Sequence, residues 1–241
     1  MLRAEKEELA LLLEEKAARL AATRYARMWA KLYVWQSDFI AATARYSQAC
    51  LIAANRIGKT WTGTYMDAIH ALGDYPDDWT GHKFDHAPMI WCLGYSGEKT
   101  RDLLQAALVG RKNGDSFDGG LIPAARILGY ESMTGTPNAV RTLRVRHATG
   151  EASTIQFWSY SQGQHALMGD AVDWFHIDEE PRDAAIFPQV LVRTASGDHG
   201  RGGRGILTGA PENGRTELVM QLMDNPGRAQ LCMPKGRADA P

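Results

Sequence analysis

The sequence predicts an α/β fold, a mainly parallel sheet with helices on both faces. Three observations predict it. Short apolar runs alternate with helical patterns; the run Cys50-Leu51-Ile52 turns through Gly58-Lys59 into an amphipathic stretch; and the run Val172–Ile177 ends on Asp178-Glu179-Glu180. Strand, turn and helix in repeated alternation are what parallel strands with crossover helices require. The composition agrees. A chain of 241 residues, 44% hydrophobic and 23% charged, is a folded one, long enough for one large domain with a substantial core.

The elements follow in order. Leu2, Leu9, Leu12, Leu13, Ala17 and Leu20 recur at helical spacing, with Glu14, Glu15, Lys16 and Arg19 between them. Residues 1–32 therefore read as a helical segment, packed on its own domain or docking a partner subunit, and residues 33–241 as the main domain. An aromatic turn and a helix follow from Tyr33. The strand at Cys50–Ile52 leads into a helix that stops at a loop marked by Gly73, Pro76, Asp77 and Asp78. A second strand, Met89–Leu93, precedes another helix. Residues 111–138, rich in Gly, Asp and Pro, show little pattern and read as loop. Arg141–His147 and Ser153–Ser159 alternate on either side of a turn and predict a hairpin. After the acidic strand come a helical stretch, a glycine-rich loop and the strand Ile206-Leu207-Thr208, which exits into Gly209-Ala210-Pro211.

Several function classes recede at once. Lys plus Arg is 27 against 28 Asp plus Glu, a net charge of −1, so any contact with nucleic acid is made by a local patch. Cys50, Cys92 and Cys232 form no pair at metal or redox spacing and read as reduced structural thiols. His82 and His86 stand four apart in a stretch of Asp, Gly and Pro without further soft ligands, and predict no metal site. No apolar run reaches the ~20 residues of a membrane span, and the Glu-studded N-terminus is no signal peptide.

The sharpest local motif is Ala53-Ala54-Asn55-Arg56-Ile57-Gly58-Lys59-Thr60. It fits the phosphate-loop pattern GxxxxGK[ST] except at its first position, where Ala53 replaces glycine. Glycine lets the backbone turn so that amide N–H groups face phosphate oxygens. Lysine reaches the β- and γ-phosphates, and the next hydroxyl ligates Mg²⁺. The helix that follows adds its N-terminal dipole. Arg56 is placed to meet the γ-phosphate, or to shape the loop by an ion pair.

The acidic strand end supplies the rest of a nucleotide hydrolase. Asp178 can hold Mg²⁺ and Glu179 can act as general base on the attacking water. Glu180, before Pro181, serves equally well as the acidic start of a helix. The interval from Lys59 to Asp178 leaves room for strands between the two motifs. Thr208 brings a hydroxyl to a further strand tip, as a sensor of the γ-phosphate or as a plain strand exit. Trp35-Gln36 offers an aromatic face and a two-sided amide suited to adenine, or simply a core Trp beside a surface Gln.

In this order, Trp35-Gln36, the NRIGKT loop, LMGDAVDWFHIDEEP and LTGAP, the chain resembles the N-terminal ATPase domain of the large terminase subunit of tailed bacteriophages, over about residues 33–215. Arg56 within the loop and Leu167-Met168-Gly169 before the acidic strand belong to that resemblance. It implies a phosphate-loop NTPase fold of the additional-strand class, with ATP and Mg²⁺ as cofactors. Lys59, Arg56 and Glu179 would be catalytic, and Trp35, Gln36 and residues 53–60 would bind nucleotide. Thr60 and Asp178 would hold the metal, and Thr208, Gly209, Ala210 and Pro211 would couple hydrolysis to movement. It also implies a motor acting on double-stranded DNA with a portal protein and a small terminase subunit in the host-cell cytoplasm. Such a motor is a ring in which an arginine completes the neighbour's site; an isolated domain could be monomeric.

Arg101, Arg193, Arg201 and Arg204 are candidates for that arginine, and Arg144 and Arg146 share a strand face that could meet DNA phosphate. Fewer than ~100 residues follow the last motif, too few for the nuclease domain that the resemblance would append, so nuclease activity is not expected. Two other classes stay open: a helicase-like translocase, which needs a second such domain, and a non-hydrolysing assembly module, which only Ala53 supports.

Overall fold

The structure, a computed structural model, describes Leu12 and residues 31–113, 116–167, 169, 171–210, 216–223 and 229–232. The predicted N-terminal helix over residues 2–30, and Pro211 and Met168, lie outside the described residues, except for Leu12.

Helix α1 is Val34–Arg45, strand β1 Gln48–Ile52 and helix α2 Lys59–Leu72. Strand β2, Met89–Gly94, leads into α3, Gly97–Thr100, a π-helical turn at Arg101–Gln105 and α4, Ala106–Val109. Residues 111–138 are more structured than the sequence suggests. They hold the two-stranded pair β3, Gly110–Asn113, and β4, Ser116–Gly119, and an edge strand β5, Ile127–Ser132. The predicted hairpin forms as β6, Val140–Arg146, and β7, Ala152–Ser159, in antiparallel register. Strand β8 is Trp174–Asp178, helix α5 Ile186–Thr194 and strand β9 Arg204–Gly209. Helix α6, Glu217–Met223, and strand β10, Ala229–Cys232, follow.

One eight-stranded sheet runs β10-β1-β9-β8-β2-β7-β6-β5. The strands from β10 to β7 are parallel and the last two pairings antiparallel. Strand β9 separates the strand that feeds the phosphate loop from the acidic strand, which is the additional-strand arrangement. The register aligns Ile52 with Gly209, Asp178 with Thr208 and Leu93 with Ile177. The loop, the acids and the Thr208 segment therefore share the carboxyl edge of the sheet, where ligands of open α/β sheets bind.

Period-two alternation distributes the strand residues over two cores. Leu51, Ile90, Cys92, Trp174 and Ile206 face one core with Phe39, Ile40, Met66 and Ile69 of α1 and α2. Cys50, Ile52, Trp91, Leu93, Phe175, Ile177 and Leu207 face the other with Ile186, Phe187 and Val190 of α5. Burial on both sides explains why these strands read as continuous apolar runs. Cys50 and Cys92 are buried. Among the described residues no helix is long and apolar enough to cross a membrane.

One core group makes stability depend on pH. His70 is fully buried among the rings of Tyr75, Trp79, Phe84 and Trp174, with Nδ1 at 3.0 Å from the Tyr75 hydroxyl. Burial, then the charges of His82 and His147, hold its pKa well below the usual imidazole range. Below about pH 6.5 the unfolded chain takes up a proton that the folded chain refuses. His70 therefore favours unfolding as pH falls, by about 1.4 kcal/mol per unit. Denaturant titrations at about pH 7.5 and pH 5.5 should show a steeper loss of stability for the wild type than for His70→Phe. Equal slopes would remove His70 from the account.

Candidate active site

The loop from β1 to α2 carries two left-handed residues, Arg56 at φ 64° and Gly58 at φ 100°. Gly58 caps α2 and meets that conformation without cost. At Arg56 it turns the guanidinium-bearing residue out to solvent, and the side chain is exposed. Ala53 is buried and its N–H donates to Gly209 O at 3.1 Å, so the loop starts locked to β9. The Lys59 ammonium is buried and turned onto the loop. It donates to Ala53 O at 2.9 Å, to Ala54 O at 3.0 Å and to Asn55 Oδ1 at 3.4 Å.

Thr60 opens α2 and donates its hydroxyl to Asp178 Oδ1 at 2.8 Å. Thr208 donates to the same oxygen, also at 2.8 Å. Two hydroxyls from distant parts of the chain thus meet on one carboxylate oxygen of a buried residue. Glu179 stands next to it at φ 63°, a left-handed conformation that costs a non-glycine residue about 1–2 kcal/mol. Neighbouring strands hold it there. Its N–H donates to Thr208 O at 2.7 Å, and its Oε2 accepts from Ala210 N at 3.0 Å. Tyr160, at the end of β7, places its hydroxyl 2.6 Å from Glu179 O and 2.8 Å from Asp178 O. Burial, then the charges of Asp178 and Glu179, push the Tyr160 pKa well above the usual phenol range, so it remains a donor. Nothing in the sequence singles out Tyr160 beyond its place at the end of a strand.

A polar chain continues from Thr208 into the core. His176 Nε2 lies 3.1 Å from Thr208 Oγ1, and His176 Nδ1 lies 2.6 Å from Asp67 Oδ2. Asp67 Oδ1 accepts from Trp174 Nε1 at 2.8 Å, and Cys92 Sγ approaches Oδ2 at 3.6 Å. Asp67, His176 and Thr208 are all fully buried. The ring is thus engaged at both nitrogens, by Asp67 on one side and Thr208 on the other. Burial alone would lower the His176 pKa; the charge and hydrogen bond of Asp67, with the charge of Asp178, overcome it and raise it. The signal for this chain was present in the sequence as a histidine inside the run Val172–Ile177 and an aspartate on the apolar side of α2.

The remaining expected residues lie nearby or apart. Trp35 is buried and stacks on Tyr33 with centroids 6.2 Å apart. Gln36 is buried beside the loop, and both edges of its amide are engaged. Oε1 accepts from Tyr33 N at 2.9 Å and Nε2 donates to Thr62 Oγ1 at 2.7 Å. A cleft of about 380 Å³ opens beside Asp178, Glu179 and Glu180 and is lined by Lys99, Arg182 and Ala210.

The four arginine candidates all have intramolecular partners. Arg101 bonds Asp102 and Pro137 O, Arg193 bonds Gly169 O, and Arg204 bonds Thr43 O and Tyr46 O. Arg201 holds both Asp85 oxygens, at 2.9 and 3.3 Å, and Asp198 Oδ1 at 2.7 Å. Arg201 and Arg204 sit where β9 begins, at the sheet edge opposite the loop. There Asp85, His86 and His199 bring one ligand-capable atom each within 4.8 Å of the others. Arg201 already compensates the charge of Asp85 in that cluster. Arg144 and Arg146 are exposed on one face of β6.

A family model described as "Terminase large subunit, T4likevirus-type, N-terminal" matches residues 50–231. The chain is 31% identical over 216 residues to the large terminase subunit of Salmonella phage P22, covering 82% of this chain and 42% of that protein. It thus spans less than half the length of that curated relative. The large terminase of a thermophilic bacteriophage, solved in complex with ADP, superimposes with a TM-score of 0.51 at 12% identity, over 84% of this chain and 45% of that one. The large terminase ATPase domain of Thermus phage P74-26 gives a TM-score of 0.47 at 11% identity, over 87% and 83%.

Proposed function

The chain belongs to the family of N-terminal domains of large terminase subunits of the T4-like type, and from that membership and the site we propose an ATP-hydrolysing motor domain that drives double-stranded DNA into a procapsid. The observation that carries the reading is the meeting of the Thr60 and Thr208 hydroxyls on Asp178 Oδ1, with Glu179 beside them.

The donor set at that point, a hydroxyl and a carboxylate, is the hard-oxygen set that suits Mg²⁺. Thr60 and Asp178 would hold the ion. Bound there, it would supply charge neutralisation for the β- and γ-phosphates. The chain's own groups do the rest. Lys59 exchanges the carbonyls of Ala53 and Ala54 for phosphate oxygens, and the amides of residues 54–60 line the phosphates. Glu179 takes the proton of the attacking water on its carboxylate. Arg56, exposed on the loop, meets the charge that builds on the transferring phosphoryl. Trp35 and Gln36 lie on the adenine side. Base recognition there requires Gln36 to exchange its bonds to Tyr33 and Thr62.

Thr208, Gly209 and Ala210 touch Asp178 or Glu179 directly or, at Gly209, anchor the loop through Ala53 N. Loss of the γ-phosphate at the acids therefore shifts β9 and its exit towards Pro211. The working form is a ring around DNA that pushes it through a portal protein, with a small terminase subunit as partner in the host cytoplasm and one subunit's arginine completing the next subunit's site. Arg144 and Arg146 offer a phosphate-binding face.

The test is ATP hydrolysis by this chain against its own concentration, with and without linear double-stranded DNA. Turnover per chain should rise with concentration, because a neighbour's arginine contributes about 10³–10⁵ in rate. DNA should stimulate it, and Arg144→Ala/Arg146→Ala should weaken the stimulation and flatten its salt dependence by about one unit of slope per lost phosphate contact. ATP binding with no turnover at any concentration, DNA present, would instead support the non-hydrolysing assembly module.

A further inference from the structure

The chain from Asp67 to Asp178 has more order than packing demands. Up to its terminal Asp178, strand β8 is apolar on both faces except at His176, which points to the α2 side with Trp174. Space has been cleared for the ring. A Cβ at Gly63 would overlap the His176 imidazole, so α2 carries a glycine in its interior where alanine would favour the helix by about 1 kcal/mol. Asp67, one helical turn further on, fixes the ring through Nδ1 and is itself fixed by Trp174 Nε1. The only hydroxyl that Nε2 reaches among the described residues is that of Thr208. A histidine retained only for packing needs neither the glycine nor this pairing at both nitrogens.

We propose that His176 is a positioning residue for the hydrolytic site: locked by Asp67, its ring meets the Thr208 hydroxyl from the core side and so holds that side chain against Asp178. This ties α2, which begins at the phosphate loop, to the β9 tip through one rigid ring. It rests on the reading of Asp178 and Glu179 as the hydrolytic pair. The consequence is specific. Without the partner at Nε2, Thr208 is free to turn its side chain away, Asp178 loses one of its two hydroxyl contacts, and the acids lose alignment while the phosphate loop stays intact.

The test separates the two nitrogens. Glutamine places a hydrogen-bonding amide near the Nε2 position and abandons Asp67; asparagine reaches Asp67 and abandons Thr208. Both cost stability, so a purely structural role predicts similar turnover in the two folded variants. The proposal predicts that His176→Gln keeps kcat within about 3-fold of wild type, whereas His176→Asn lowers it about 10-fold or more, the worth of one hydrogen bond to a charged partner. His176→Asn and Thr208→Val should also be non-additive in kcat. ADP affinity measured with and without Mg²⁺ gives a readout that needs no turnover: His176→Asn should lose most of the Mg²⁺-dependent gain and His176→Gln should keep it.

Equal kcat and equal Mg²⁺ dependence in the two variants, with the wild type active, would overturn the positioning role alone. A wild type that neither turns over ATP nor gains ADP affinity from Mg²⁺ would overturn the hydrolytic reading and this proposal together.

Discussion

Glu179→Gln should abolish ATP turnover, by about 10²–10⁴-fold, and leave nucleotide affinity near that of the wild type. The substitution keeps the shape of the side chain. Glutamine can still accept from Ala210 N, and the backbone bonds to Thr208 O and Tyr160 remain. The left-handed turn at residue 179 therefore survives, and what is lost is the basic oxygen. Glu180→Gln is the companion measurement. Glu180 shares the cleft but has none of the contacts that hold Glu179 in its strained conformation. Strain maintained by bonds to three residues, Thr208, Ala210 and Tyr160, is the structural reason to place the base at 179. Single-turnover hydrolysis with both variants decides it: if Glu180→Gln is the dead one, the assignment is wrong.

The sequence carries this site because its chemistry is local. A glycine, a lysine and a hydroxyl in succession build one half, and an apolar strand ending in two acids builds the other. Period and composition alone locate both. The sheet order is legible only in part. Strand β9 lies between β1 and β8, a fact of pairing that no window of sequence contains. Strand β5 escaped because Ile127–Ser132 is interrupted by Gly129 and irregular in register against β6, so its pairing rather than its own pattern makes it a strand. The core relay escaped for a related reason. His176 reads as one polar residue in an apolar run, and its partners Asp67 and Thr208 are 109 and 32 residues away. The arginines are legible as charges, but their intramolecular partners are not: Arg204 meets Thr43 O and Tyr46 O, and Arg201 meets Asp85, across long intervals of sequence.

Asp67→Ala should be the most destabilising single change in the molecule's polar core, by about 3–5 kcal/mol in denaturant titration. Three effects add. Trp174 Nε1 and His176 Nδ1 lose their acceptor in a fully buried place, His176 loses the countercharge beside it, and the truncated side chain leaves a void between α2 and β8. An ordinary buried pair is weak support for stability, because two apolar residues of like volume often replace it at no cost. That comparison divides the two roles of the pair. Asp67→Leu/His176→Leu should recover stability relative to Asp67→Ala, since no charge is left stranded, although Trp174 Nε1 still lacks a partner. The same double variant should not recover turnover, because nothing then holds the Thr208 hydroxyl on Asp178. If the double variant is stable and fully active, the pair serves only the core. If it is stable and slow, the cost of burying two ionisable groups is borne for the alignment of the site.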